Sequence, residues 1–408
     1  MFGVFTHNFV KVRLKNMKRL SILLSIALFC CCEAPENPTI KPPIAAPEVD
    51  NNEGGNTESG EYYIVDDIND PLYWVTNEYM QAFMEKVTYK DRDYSRTRIT
   101  EFEGGGPGEA DIPPAVPLQW ENNYPDKPLM LTVWEDNWSR EYNLPAGTTQ
   151  QDILHLVPKQ RYGYKVMTTS GDIVAEGTFR TAGSVHQVYF TNKSDRSREV
   201  RNCRDLGGWK TLDGKTVAYR KVYRGGRIEG YIDSDGKAEF RAAGLKAELD
   251  LRESAPKNCP IGKDIAWCTP FITDSYVKML TTYKDGVKMS VEFIAECLRQ
   301  KKPVFFHCAI GRDRTGTLSI LILGLLGVSE GDISKDYELT YFAPDGWSTN
   351  DGGEFKYTRT KSSAFVATVK HIWAFGKPTF KENVEAYLSS IGVSKKDMED
   401  IYNAMVID

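Results

Sequence analysis

Hydrophobic and polar positions change pattern four times along the chain. An apolar run at Leu20–Phe29 gives way, from Glu33 to about Glu61, to polar sequence rich in Pro, Asn, Glu and Gly. Leu72, Val75, Tyr79, Met80, Phe83 and Val87 then recur at helical spacing. Asp70 followed by Pro71 predicts the start of that helix, a capping side chain and then proline in the first turn. From Asp111 to Thr181 the rhythm shortens to strand-like runs near Leu118–Trp120, Leu129–Trp134, Ile153–Leu156, Tyr162–Thr168 and Ile173–Phe179, divided by Pro, Gly, Asn and Asp clusters. That spacing predicts a β-sandwich. Beyond His186 strands and helices alternate: Ala247–Leu251 and Val304–Phe306 read as buried strands, Val287–Leu298 and Thr317–Leu326 as helices, and Lys381–Ser389 and Lys395–Met405 as C-terminal helices. The expected fold is therefore α/β, with a mainly parallel central sheet flanked by helices, preceded by an all-β sandwich.

This divides the chain into 1–32, 33–61, a helix-containing linker at 62–109, the sandwich at 110–184 and the α/β domain at 186–408. The first segment carries Lys11, Arg13, Lys15, Lys18 and Arg19 ahead of its apolar run, which ends in Cys30, Cys31 and Cys32. About ten apolar residues fall short of the roughly 20 needed to cross a bilayer and suit the core of an export signal. Met17 is an alternative start. Residues 33–61 cannot bury enough surface to fold and read as a tether.

The 408 residues suffice for more than one domain, and 41% apolar with 26% charged content is ordinary for globular chains. A net charge of −5 argues against a general nucleic-acid binder. The scattered histidines and the lack of Cys-x2-Cys give no metal-ligand spacing, and no cofactor is expected.

The chemistry concentrates in Val304–Gly316, VFFHCAIGRDRTG. A buried strand ends at His307; Cys308 follows, then five residues, then Arg314, Thr315 and Gly316. A strand, a glycine-containing loop and a helix N-terminus form an anion site, because unpaired N–H groups and the helix dipole converge there. The same setting shifts a cysteine toward thiolate, and Arg314 supplies a two-pronged donor for phosphate oxygens. Of the eight cysteines, Cys308 alone has arginine six positions on. Gly311 and Gly316 have the spacing of a nucleotide-triphosphate loop, but Thr317 and Leu318 stand where Lys and Ser/Thr are required. A rhodanese-type sulfurtransferase loop would not require the Arg314-Thr315-Gly316 ending.

The block resembles the His-Cys-x5-Arg-Thr-Gly loop of cysteine-based phosphatases. With Arg201-Asn202-Cys203-Arg204-Asp205-Leu206-Gly207-Gly208, Tyr223-Arg224-Gly225-Gly226 and Leu249-Asp250-Leu251-Arg252 in that order, the span Val200–Asp408 resembles the bacterial tyrosine phosphatase family that also acts on phosphoinositides. Arg312 stands where that family commonly has lysine. The resemblance implies a cysteinyl-phosphate mechanism with Cys308 as nucleophile. Arg314 and the N–H groups of Ala309, Ile310, Gly311, Arg312, Asp313 and Arg314 would hold the phosphate. Asp313 is the first candidate for the acid that protonates the leaving oxygen, Asp250 the second and Asp274 the third. Thr315 would hydrogen-bond the thiolate, His307 would brace the loop, and Asn202, Arg204, Asp205 and Arg224 would order the scaffold beside it. The implied substrates are phosphotyrosine or inositol phosphates and phosphoinositides. The reading from a different class is a catalytically inert surface binding protein.

Two further resemblances concern the N-terminal half. Trp120 after Val116-Pro117-Leu118, and Leu156-x-Pro158-x3-Tyr162 with Tyr164 and Val166, resemble a fibronectin type III or immunoglobulin-like module, which implies a spacer or a surface for a partner. Leu28 three residues before Cys31 resembles a bacterial lipoprotein signal, implying export, a lipid on Cys30, Cys31 or Cys32, and membrane anchoring. In an oxidising compartment Cys259 and Cys268, which bracket a short loop, are a candidate disulfide, and Cys203 a candidate partner for oxidised Cys308.

Overall fold

The structure is a computed structural model that describes residues 69–92, 112–190, 199–343, 347–349, 355–357 and 363–408. All of these lie in one compact unit, 56–408. The expected signal at 1–32 and tether at 33–61 lie outside the described residues.

The first element corrects a sequence expectation. Leu72–Trp74 is a strand (β1), not helix. It pairs in parallel with the last strand of the same sheet, in the register Leu72↔Arg180 to Trp74↔Ala182. Asp70 caps nothing; its carboxylate accepts hydrogen bonds from Arg161 and, at 2.6 Å, from the Thr178 hydroxyl. Helix α1 begins only at Glu78 and runs to Lys86, capped by Asn77, whose side chain accepts from the Tyr79 N–H at 3.0 Å.

The next six strands are β2 (Val116–Gln119), β3 (Leu129–Glu135), β4 (Trp138–Leu144), β5 (Gln150–Ile153), β6 (Arg161–Thr168) and β7 (Ile173–Ala182). One sheet has the order β1-β7-β6-β3-β4 and a second pairs β2 with β5. Between them lies an apolar cluster that includes Val116, Trp120, Leu131, Val133, Tyr162 and Phe179. The unforeseen strand is β4. Its sequence, WSREYNL, is polar because one face of this edge strand meets solvent. It pairs with β3 from Leu129↔Leu144 to Glu135↔Trp138.

The C-terminal region follows as β8 (Arg204–Asp205), β9 (Thr216–Val217), β10 (Val222–Gly225), α2 (Ser234–Ala242), β11 (Ala247–Asp250), β12 (Ala266–Cys268), α3 (Tyr276–Thr282) and α4 (Lys284–Arg299). Then come β13 (Val304–His307), α5 (Asp313–Leu325), α6 (Glu330–Glu338), a 3-10 turn at Leu339–Phe342, and a short pair β14 (Trp347–Thr349) and β15 (Phe355–Tyr357). Helices α7 (Ser363–Trp373), α8 (Phe380–Ser390) and α9 (Lys395–Met405) lead to β16 (Val406–Ile407). The central sheet has the order β12-β11-β13-β10-β8. Its three inner pairings are parallel and only β8 is antiparallel. Strands β10, β11 and β13 are buried on both faces, as a parallel sheet covered by helices requires. One face packs on α4 and α5 and the other on α2, with Phe190, Phe240 and Phe305 between them.

Helix α1 joins the apolar core of this region. Phe83 and Phe342 have ring centroids 5.7 Å apart, and the Lys335 Nζ donates to the Met84 carbonyl at 2.8 Å. Where the strands β1–β7 meet this region, the His186 ring bridges the Asp205 carboxylate and the His155 carbonyl, each at 3.0 Å, and Arg140 pairs with Glu239 at 2.6 Å.

Candidate active site

Parallel strands β10, β13 and β11 end side by side, in the register Gly225↔His307 and Asp250↔His307. Ligands in such sheets gather beyond the carboxyl ends of the strands, and there β13 hands over to Cys308 and the loop. The helix after the loop starts at Asp313, four residues before the apolar run, so Arg314, Thr315 and Gly316 form its first turn. The polar first turn hides the helix start in the sequence; the rest of α5 is apolar all round because it is buried. Gly311 sits at φ +72°, and a Cβ there would lie 2.6 Å from the Gly225 carbonyl carbon. Only glycine lets the loop press this closely on β10.

The loop is braced from outside through its carbonyls. Arg227 N–H donates to the Ala309 carbonyl at 3.2 Å, and Asn202 Nδ2 to those of Ile310 and Gly311 at 3.2 and 3.0 Å. Arg224 donates to the Gly311 carbonyl at 2.7 Å. Behind them Asp336 is buried and accepts from Arg204 at 3.0 Å and from Arg224. Burial would raise its carboxyl, but the two guanidiniums outweigh that and hold it below the usual carboxylate range. Asn202, Arg204 and Arg224 thus stand beside the loop as scaffold. Asp205 does not reach it: its carboxylate takes the His186 ring and the N–H groups of Gly207 and Arg220.

Cys308 is 2% exposed, so only a group that enters the loop reaches the sulfur. Burial pushes the thiol up, but hydrogen bonds from the Thr315 hydroxyl and N–H, with the Arg314 charge, bring it below the ordinary cysteine value. Among the described residues no oxygen or nitrogen takes up the Thr315 hydroxyl. His307 is fully buried; its Nε2 is 2.9 Å from a Glu248 oxygen and its Nδ1 3.2 Å from the Cys308 carbonyl. Burial alone would lower its pKa, yet the charge of Asp250 and the bond to Glu248 raise it. Arg314 donates from one nitrogen to Glu253, at 2.5 Å, and to the Ile272 carbonyl, at 2.8 Å.

The three candidate acids separate clearly. Asp313 accepts from the Tyr276 hydroxyl and, at 3.2 Å, from Arg312 Nε, and its side chain is 27% exposed. Asp250 is fully buried with both oxygens held by Arg252, at 2.8 and 2.5 Å. This corrects its candidacy: with both oxygens taken it braces Arg252, which also forks onto Glu229 at 2.6 and 2.7 Å. Asp274 lies before α3, partly exposed and 3.6 Å from Lys278.

The cysteine expectations are corrected as well. Cys259 and Cys268 form no disulfide and are free thiols. Cys259 donates to Glu248 at 2.9 Å, and burial pushes its thiol up to about 12. Cys203 packs with Phe305 in the cluster on the far face of the sheet from that of Cys308. Among the described residues no group of three or more His, Cys, Asp or Glu is placed to hold a metal ion, and no helix is long and apolar enough to cross a membrane.

A sequence model of the tyrosine phosphatase family matches residues 196–407, just over half of the chain. The chain belongs to the tyrosine phosphatase family. It is similar to a tyrosine-protein phosphatase-named protein of Cupriavidus necator, 28% identical over 165 residues, covering 34% of this chain and 59% of that one. It is also similar to a tyrosine-protein phosphatase of Nostoc commune, 26% identical over 210 residues, covering 41% of this chain and 68% of the relative. This chain therefore spans less than two thirds of the first relative's length. Among solved structures, DUSP15 matches at 15% identity, covering 44% of this chain and 98% of its own, with a TM-score of 0.29, too low to carry an argument.

In this family member Asp336, Glu248, Glu253, Tyr276 and Tyr337 surround the loop without having been foreseen. Tyr337 is 2.8 Å from the Tyr276 hydroxyl. None of the five lies within the loop motif; Glu248 and Asp336 stand out only as charged residues among buried positions of β11 and α6, and Glu253 and Tyr276 belong to neither element.

Proposed function

We propose that the chain hydrolyses phosphomonoesters through a cysteinyl-phosphate. The observation that carries this reading is Cys308, held below the ordinary thiol value at the N-terminus of α5 inside a loop whose carbonyls are drawn outward. Carbonyls turned out leave the N–H groups of residues 309–314 for an anion. In the first step the Cys308 sulfur attacks phosphorus and the bond to the substrate oxygen breaks. That oxygen takes a proton from Asp313, while Arg314 and the loop N–H groups meet the charge on the remaining oxygens. Water then attacks phosphorus and gives its proton to the Asp313 carboxylate. The sulfur–phosphorus bond breaks, releasing inorganic phosphate and the thiolate.

Phosphotyrosine is the substrate class that the relatives' names support, and inositol phosphates or phosphoinositides are the second. The strands of 110–184 are proposed as a fibronectin type III or immunoglobulin-like module that spaces the catalytic region or meets a partner. The basic-then-apolar start ending in Cys30, Cys31 and Cys32 supports export and lipid anchoring in a bacterial envelope. The test is a substrate panel of aryl phosphates, phosphotyrosine peptides and inositol phosphates, run with chelator. Turnover by the protein and none by Cys308→Ser, with a phosphocysteine trapped by acid quench and read by mass spectrometry, is the expected result. Equal turnover by Cys308→Ser overturns the mechanism.

A further inference from the structure

Besides Arg201, six arginines stand around the loop, and five of them already have a carboxylate partner. Arg204 and Arg224 share Asp336, Arg252 takes Asp250 and Glu229, Arg312 takes Asp313, and Arg314 takes Glu253. Arg227 is the exception: among the described residues no carboxylate pairs with it. Its guanidinium instead lies 4.4 Å from the centroid of Tyr231 and donates to the Tyr231 hydroxyl at 2.6 Å. Arg201 approaches the same ring at 6.0 Å. These side chains, with Gly226, Ala309 and Ile310, line a pocket of about 210 Å³.

The pocket is wired to the catalytic loop at the residue next to the nucleophile. The Arg227 N–H binds the Ala309 carbonyl at 3.2 Å and the Gly226 N–H binds that of Arg201 at 2.8 Å. A Cβ at Gly226 would come within 3.2 Å of the Arg201 carbonyl and 3.4 Å of the Ala309 carbonyl. The missing side chain lets the end of β10 lie flat between pocket and loop. A half-buried guanidinium with no counter-ion, held in position by an aromatic ring, is a preformed donor for an anion. Arg312, the residue that replaces the usual lysine, is less suited to that task because Asp313 already holds it.

We propose that this pocket is a second anion subsite. It takes a phosphate carried by the same substrate whose other phosphate enters the Cys308 loop, and so selects bisphosphorylated over monophosphorylated substrates. The proposal rests on the phosphatase reading above and names its substrate class.

The experiment compares kcat/KM for inositol monophosphates and a panel of inositol bisphosphates. Calorimetry of the same compounds on the Cys308→Ser protein reads binding without turnover. The bisphosphates are expected to be preferred, and Arg227→Gln to lower the ratio of bisphosphate to monophosphate kcat/KM about tenfold or more, the effect of a hydrogen bond to a charged group. The same variant, in the Cys308→Ser background, should weaken bisphosphate binding by a similar factor. Tyr231→Phe keeps the ring and removes the hydroxyl, and should give a smaller fall in the same ratio. The preference should also shrink as salt rises. No preference in the parent protein, or a ratio unmoved by Arg227→Gln and Arg201→Gln in protein with an unchanged melting curve, overturns the subsite while leaving the phosphatase reading intact. Equal preference for a compound bearing a carboxylate in place of the second phosphate also overturns it. Absence of turnover on every substrate, with bisphosphate binding intact and sensitive to Arg227, fails the phosphatase reading and not the subsite.

Discussion

Asp336 and Arg224 form a fully buried ion pair beneath the catalytic loop, and the other arm of Arg224 holds the Gly311 carbonyl at 2.7 Å. The position of the loop therefore depends on a carboxylate 28 residues away from the nucleophile in sequence. Removing one member of a buried pair strands the other, at a cost of about 3–5 kcal/mol. Asp336→Asn is expected to destabilise the protein by that order in denaturant unfolding. At temperatures where the variant remains folded, kcat should still fall, because Gly311 loses its support. Unchanged stability would show that Arg204 and Arg224 find other partners.

The thiol of Cys308 should titrate below the ordinary cysteine value of about 8.5. Its inactivation by iodoacetamide is expected to fall as pH drops through that lowered midpoint. Thr315→Val removes one hydrogen bond to the thiolate, worth about 1.5–3 kcal/mol, and should raise the midpoint by about one to two pH units. A midpoint that does not move would leave Arg314 and the Thr315 N–H as the groups that set it.

Asp313 keeps a part-exposed carboxyl, whereas both oxygens of Asp250 are held by Arg252. Asp313→Asn should slow hydrolysis of a poor leaving group such as phenyl phosphate by about 10²–10⁴-fold and spare an activated nitrophenyl ester far more. Asp250→Asn should act mainly on the melting temperature. A full rate for Asp313→Asn on the poor leaving group would place the acid elsewhere.

His307 lies above its ordinary pKa because the pull of Asp250 and Glu248 exceeds the effect of burial. A raised folded value stabilises the protonated form. Its contribution to stability is present in full below about pH 6.5 and is lost as pH rises through the raised value. The melting temperature of His307→Gln should therefore trail the parent most at pH about 6, with the gap narrowing toward alkaline pH. A gap that widens with pH would reverse the sign assigned here.

The catalytic loop was legible because its chemistry is local: strand, cysteine, glycine, arginine and helix stand within thirteen residues. The central strands were legible because burial on both faces leaves an unbroken apolar run. The supports were not. Asp336 reads as one more polar residue of a helix, and only the fold brings it to Arg204 and Arg224. Strand β1 was hidden for the opposite reason. Leu72 and Val75 match a helical period by accident, and nothing local signals a parallel partner more than a hundred residues on. The free thiol of Cys259 follows from Glu248 beneath it, which spacing between cysteines cannot reveal.

The parallel pairing of β1 with β7, continued by α1 packing Phe83 on Phe342, threads the N-terminal segment across both halves of the described unit. A truncation that begins at β2 or at the α/β region would strip Met80, Phe83, Val87 and Tyr89 from their core positions. The shortened polypeptide would present that uncovered face to its neighbours and self-associate. Recombinant pieces meant for crystallography or assay should keep everything from Asp70 onward.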